Sequence, residues 1–218
     1  MYYYNNHIED SEEDIELRPN KKQKKKFTNS IKDLGNVYAH DNHIYFYSSV
    51  SKDSILKLND LIIEIKKNVL EAQKKYPTTI IESKPIYLHI NSYGGSVFAA
   101  YTAIDIINNS SIPIYTIIEG ASASAATLIS VCGKKRYMCK NASMLIHQLS
   151  SWMSGKMNEL DDEYQNLEEM MNKIKKIYLE NTKIKKNEID ELLKHDLWWD
   201  FDKSKKYGLF DNEWVGEE

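Results

Sequence analysis

The sequence has little cysteine. Its two cysteines, Cys132 and Cys139, in 218 residues exclude a disulfide scaffold and a cysteine-rich zinc fold. No run of about 18 apolar residues is present, which excludes a helical membrane span. The opening residues are polar and lack the apolar centre of a signal peptide, so a soluble, cytoplasmic protein is expected. Neither sign of charge dominates: the formal net charge is -3, which gives no global argument for nucleic-acid binding. There is no internal repeat and no metal-ligand spacing, and neither a metal nor a cofactor is expected. What is present is 42% hydrophobic and 28% charged residues, enough for one substantial domain with a packed core.

Residues 1–36 differ from the rest. Glu9, Asp10, Glu12, Glu13, Asp14 and Glu16 form an acidic cluster, and Arg18, Lys21, Lys22, Lys24, Lys25 and Lys26 a basic one. With few large aliphatic residues, the stretch can hardly offset its ordering entropy, and it reads as a mobile, solvated arm. The basic cluster also suits a nuclear address or an anionic surface. Residues 37–218 read as the folded domain.

The pattern from Val37 onward alternates strands with helices. His43–Val50 reads as a strand. Ile55, Leu58, Ile62, Ile65, Val69 and Ala72 recur at spacings of three and four and give a helix with one apolar face, capped by Ser51 or Asp53. Tyr76–Lys84 reads as a loop between Pro77 and Pro85. Pro85–Ile90 is a buried strand, Val97–Asn109 a helix, and Ile112–Ile118 a second apolar strand broken by Gly120. A small-residue helix starts near Ser124, and Ser143–His147 is a third strand. Leu160, Tyr164, Leu167, Met171, Ile174 and Tyr178 line one face of a long, otherwise polar helix, and Ile184–Lys194 is another helix. The alternation implies βαβ units, an α/β class and a largely parallel sheet.

Sites in such folds lie where strands hand over to helices. Three segments fit: Asn91–Ser96, Gly120–Ser124 and His147–Ser151. The paired glycines Gly94-Gly95 permit a sharp turn whose N–H groups suit a negative oxygen. Ser124 at a helix start is well placed as a nucleophile, with the next N–H as an oxyanion donor. His147 can act as its general base, and His195 is its only serious competitor. Asp196 can hold an imidazole. Taken singly, each has a plain structural explanation: a turn, a small-residue packing face, a core histidine, a helix cap. Trp198 and Trp199 either shield Asp196 from water or simply fill the core, and the cysteines read as core thiols.

Together these segments resemble the Clp protease proteolytic subunit (ClpP) family, caseinolytic serine peptidases. The resemblance runs from about Ile44 to Val215. Ile90-Asn91-Ser92-Tyr93-Gly94-Gly95-Ser96-Val97 is similar to the family's I-N-S-P-G-G-S-V. Gly120–Ala126 is similar to its G-x-A-A-S-M-G/A nucleophile segment, and Met144–Gln148 to its M-I-H-Q segment. Asp196–Asp211, ending Tyr207-Gly208-Leu209-Phe210-Asp211, is similar to its D-x-F…Y-G-L-x-D ending.

The resemblance implies a crotonase-like ββα superhelix fold, with the Leu160–Tyr178 helix as a protruding handle. It implies a serine endopeptidase in which Ser124, not Ser122, is the nucleophile, His147 the general base and Asp196 the orienting acid. The backbone N–H groups of Gly95 and Ala125 would form the oxyanion hole. It also implies peptide or protein substrates, self-association into rings, usually heptameric and stacked in pairs, and a hexameric AAA+ unfoldase partner. In such a ring the charged arm would lie near the axial pore.

Several positions depart from the family pattern. Tyr93 and Leu149 replace prolines, Ala125 replaces a methionine, and the Tyr76–Lys84 link is longer. His195 replaces an arginine that helps lock two rings, which leaves ring stacking open. Other readings are a non-catalytic assembly subunit, an acyl-CoA enzyme of related fold, and a viral or phage-type maturation peptidase acting without an ATPase.

Overall fold

The computed structural model describes residues 36–75 and 84–216. The expected arm as far as residue 35, and residues 76–83 of the expected loop, lie outside them.

Strands β1 (Val37–His40) and β2 (His43–Phe46) form an antiparallel hairpin through Asp41 and Asn42, with Asp41 at φ 54°. Aspartate tolerates that left-handed conformation in tight turns. β2 pairs in parallel with β3 (Ile86–Ser92), and β3 with β4 (Ile114–Ala123). β5 (Arg136–Met138) and β6 (Ser143–Leu145) both pair in parallel with β4, and β7 (Asn212–Glu213) pairs with β5. The order is β1-β2-β3-β4-β5-β7, with β6 on β4 off that path. The α/β class and the largely parallel sheet are thus as expected.

Ile44, Phe46, Ile86, Leu88, Ile90, Ile114 and Ile118 share one core with two helices. Helix α1 (Lys52–Lys75) contributes Ile55, Leu58, Ile62 and Ile65, and α2 (Val97–Asn108) contributes Ala100, Ala103, Ile104 and Ile107. Ser51, not Asp53, caps α1. The Ser54 N–H donates to Ser51 Oγ at 3.2 Å and the Ser51 N–H to Ser54 Oγ at 2.9 Å. Asp53 sits in the first turn, where the helix dipole favours its charge.

Gly120 does not end its strand, contrary to the sequence reading. β4 continues to Ala123, and its register with β3 shifts between the pairs Ile90↔Ile118 and Ser92↔Ser122. Gly120 takes φ 66° inside this bulge, a conformation in which glycine carries no penalty. Across it β4 changes neighbours: Thr116–Ile118 pair with β5, and Ala121–Ala123 with β6. The strand therefore runs directly up to Ser124.

Beyond it lie α3 (Ala125–Ser130), α4 (Met157–Asn181), α5 (Ile189–Leu193) and α6 (Phe201–Lys206). The apolar stripe of α4 is only partly covered. Ile174 and Tyr178 are buried and Met171 packs on the core, whereas Tyr164 stands exposed. The helix expected over Ile184–Lys194 is shorter, because Ile184 is buried as part of an irregular segment before α5. Arg136 clamps this region. Its Nε and Nη2 meet Asp211 at 3.1 and 2.5 Å, and its Nη1 donates to the carbonyls of Asn181 and Gly208. Such a forked contact fixes β5 against the ends of α4 and α6.

On β2, β3 and β4 a polar chain crosses the strands. His43 Nδ1 lies 2.8 Å from His89 Nε2, and His89 Nδ1 2.7 Å from Glu119 Oε1. The Tyr47 hydroxyl donates to Glu119 Oε2. Burial alone would push the Glu119 carboxyl up, but the hydrogen bonds from His89 and Tyr47 outweigh it and hold it below its ordinary value. A carboxyl depressed by folding contributes stability above its unfolded pKa and loses it as the pH falls through the folded one. Glu119→Gln is expected to be less stable than the parent at neutral pH, and to lose less further stability between about pH 5 and pH 3. Thermal melts across that range check this; parallel acid losses in both proteins would contradict it.

Candidate active site

The turn after β3 is pressed against two neighbouring segments. Gly94 has φ 94° and Gly95 φ 147°. A Cβ on Gly94 would lie 2.6 Å from the Ala123 carbonyl oxygen and 2.8 Å from Ser124 Cβ, and one on Gly95 2.3 Å from the Val50 carbonyl oxygen. The Val50 N–H donates to Gly94 O, and the Ser96 N–H to Val50 O, both at 2.8 Å. These bonds flank Gly95, so its own N–H is directed away from Val50. Ser96 caps α2 by accepting from the Ala99 N–H at 3.3 Å.

Ser124 sits between β4 and α3 with φ 54° and ψ -127°. A non-glycine residue held there stores about 1–3 kcal/mol of strain. The surroundings fix the conformation. The Ser124 N–H donates to Leu145 O at 2.8 Å, and its carbonyl accepts from the Thr127 N–H at 2.9 Å and the Thr127 hydroxyl at 2.6 Å. Ala125, the first residue of α3, has no intrahelical acceptor for its N–H. Gly95, Ser124, Ala125 and His147 line one pocket of about 60 Å³, whose other walls include Leu128, Ile174 and Tyr178.

His147 was expected at the end of a strand. It stands just beyond β6, which stops at Leu145. The side chain is 22% exposed, and its Nδ1 lies 3.0 Å from Asp196 Oδ1. The Asp196 segment is held at both ends by backbone bonds. Gln148 N–H donates to Leu193 O at 2.7 Å, and Trp199 exchanges bonds of 2.6 and 2.9 Å with Met144.

The tryptophans do not shield the acid, whose side chain is 76% exposed. Successive residues of an extended backbone point to opposite sides, so the pair divides. Trp199 is buried and packs on Tyr207 at 4.7 Å between ring centroids, whereas Trp198 turns edge-on to Tyr93 at 6.1 Å. His195 does not line the pocket; it faces Glu191 at 3.3 Å. Cys132 is buried, its thiol pushed up to about 11 by that burial, and Cys139 is half-buried with its thiol also raised. Both behave as unreactive core thiols.

The structure thus brings four of the expected residues to one pocket and the fifth, Asp196, to His147. Sequence reasoning missed Thr127 and Tyr178 at this site. The available signal was a hydroxyl three residues after Ser124, one helical turn away. Among the described residues no group of three or more His, Cys, Asp or Glu side chains is placed to hold a metal ion.

Residues 39–215 match the family model for Clp protease. The "ATP-dependent Clp protease proteolytic subunit 2" of Treponema pallidum is 33% identical over 132 residues, 60% of this chain and 66% of that protein. The "ATP-dependent Clp protease proteolytic subunit" of Streptococcus mutans is 32% identical over 169 residues, 76% of this chain and 86% of the relative. The subunit of that name from Streptococcus suis is 30% identical over the same shares. Fold, pocket and these likenesses define a serine peptidase, a hydrolase. The chain belongs to the Clp protease family and is of its ClpP type.

Proposed function

We propose that the chain is a serine endopeptidase that cleaves peptide bonds through Ser124, His147 and Asp196, as the proteolytic subunit of an ATP-dependent Clp-type complex. One observation carries the reading: a serine held at positive φ shares a small pocket with an imidazole whose far nitrogen faces a carboxylate at 3.0 Å.

The chemistry follows from that placement. With Nδ1 turned to Asp196, His147 keeps Nε2 for the Ser124 hydroxyl proton, and both residues line the same pocket. The hydroxyl attacks the scissile carbonyl as His147 takes its proton. The N–H groups of Gly95 and Ala125 receive the developing oxyanion. His147 then protonates the leaving amine, and water releases the acyl group by the reverse sequence.

Residues 37–218 would form the peptidase domain. Ring assembly is supported by α4, whose exposed Met157 and Tyr164 leave apolar surface for another copy. The word "ATP-dependent" in the names of the relatives supports an unfoldase partner. A cytoplasmic setting agrees with the lack, among the described residues, of any helix long and apolar enough to cross a membrane.

The test is labelling of the purified protein with a fluorophosphonate, followed by peptide mapping and light scattering. The expected result is one adduct, on Ser124, in a particle the size of a ring. A ring without an adduct would make the chain a non-catalytic assembly subunit. A labelled monomer would point to a specialised peptidase that works without an ATPase.

A further inference from the structure

We infer that Tyr178 is a positioning residue for the peptidase reaction: through Thr127 it holds the backbone of Ser124 in its strained conformation. The inference rests on Ser124 being the nucleophile and adds the group that keeps it poised.

The argument begins with one carbonyl. Ser124 O accepts two hydrogen bonds from the same residue, the Thr127 N–H at 2.9 Å and the Thr127 hydroxyl at 2.6 Å. The second spends the only hydroxyl proton that Thr127 has. Thr127 Oγ1 also lies 2.5 Å from the Tyr178 hydroxyl oxygen. With the threonine proton already donated, the tyrosine must be the donor here. The chain therefore has one direction: Tyr178 O–H to Thr127 O–H to Ser124 C=O.

Both hydroxyl-bearing residues are secluded. Tyr178 is 1% exposed and Thr127 0% exposed. Burial pushes the tyrosine phenol far above its ordinary value, so it remains a proton donor throughout the working pH range. A directed chain of buried hydroxyls polarises along its length, and a member left unpaired there is costly.

Location decides what the chain does. Ser124 has φ 54°, and such a conformation persists only where the surroundings over-determine it. On the N-terminal side the Ser124 N–H is fixed to Leu145 O at 2.8 Å. On the C-terminal side the carbonyl is held, beyond the first helical turn, by the Thr127 hydroxyl, which Tyr178 orients. Relaxing it would let the Ser124–Ala125 peptide rotate, moving the attacking oxygen and the Ala125 N–H donor together. Tyr178 also lines the pocket that Ser124 lines, so substitution must keep the ring.

Tyr178→Phe does so. It is expected to lower kcat for a short fluorogenic peptide, and the rate of fluorophosphonate labelling, about tenfold, the worth of one buried hydrogen bond. KM should change less than about twofold, because the pocket walls stay in place. The pH–rate profile should keep its midpoints, since Tyr178 exchanges no proton with substrate. Thr127→Val should reproduce the loss, the double variant should add little to either single one, and Thr127→Ser, which keeps the hydroxyl, should restore the rate.

Wild-type labelling rates for Tyr178→Phe would overturn the inference, as would additive losses in the double variant or equal losses in Thr127→Ser and Thr127→Val. Should Tyr178→Phe not assemble, the serine and valine variants at position 127 decide the matter alone. Absence of labelling in the parent protein would instead remove Ser124 as nucleophile, so the two failures are distinct.

Discussion

Ser124→Ala is expected to lower peptide turnover by at least about 10⁴-fold while leaving fold and assembly intact. The substitution removes only a hydroxyl. The backbone bonds of Ser124, to Leu145 and from Thr127, involve no atom of its side chain, and alanine at φ 54° is strained no more than serine. The glycine turn packs against Cβ, which alanine retains. What disappears is the atom proposed to form the acyl-enzyme. The proposed Gly95 and Ala125 donors and the pocket remain, so a residual rate above that in water is expected. Kinetics on a fluorogenic peptide, with a thermal melt as the fold control, check the outcome. Near-normal turnover in protein purified free of host peptidases would reject the nucleophile assignment.

Gly94→Ala is expected to have an effect almost as large by a different route. Its Cβ would stand 2.6 Å from the Ala123 carbonyl oxygen, 2.8 Å from Ser124 Cβ and 3.0 Å from Ala125 N, at φ 94°. Two of these three neighbours are backbone atoms of the nucleophile turn, and neither can swing aside as the end of a long side chain could. Accommodation therefore requires the Gly94-Gly95 turn and the Ser124 turn to separate. That displaces both oxyanion donors relative to the serine, a change expected to cost about 10²–10³-fold in kcat. Stability should fall by about 2–4 kcal/mol from strain and overpacking. Gly216 is the control: it has φ 99° and nothing within 4 Å of its Cβ position. Gly216→Ala carries backbone strain alone and should leave kcat unchanged. Equal losses of activity in the two variants would mean that crowding at the nucleophile is not the cause.

The candidate site was legible in the sequence because its parts lie in contiguous segments with strong local signals. Paired glycines after an apolar strand, a small-residue helix start and a histidine after a third strand each have a local physical reason. The long helices were legible too, since α1 and α4 repeat apolar residues every three or four positions. Other elements depend on distant partners. β5 and β7 have two or three residues each and exist because they pair with β4 and with each other. No periodicity can show in so short a stretch.

Gly120 was misread for a related reason. In sequence a glycine after an apolar run signals a stop, and only the register with β3 reveals a bulge within a continuing strand. The tryptophan pair was ambiguous because the backbone direction after Asp196, set by the bridge from Trp199 to Met144, decides which ring goes inward. The contact between Thr127 and Tyr178 joins residues far apart in the chain, and each alone looked like ordinary packing.

The position of the Asp196 carboxylate in open water has a consequence for how the reaction is organised. A charge in high dielectric exerts little pull on its neighbour. In the proposed triad its service to His147 would therefore be mainly orientational: it would select one ring flip and one tautomer. In the proposed reaction the transient imidazolium would therefore gain less from this carboxylate than from a buried acid.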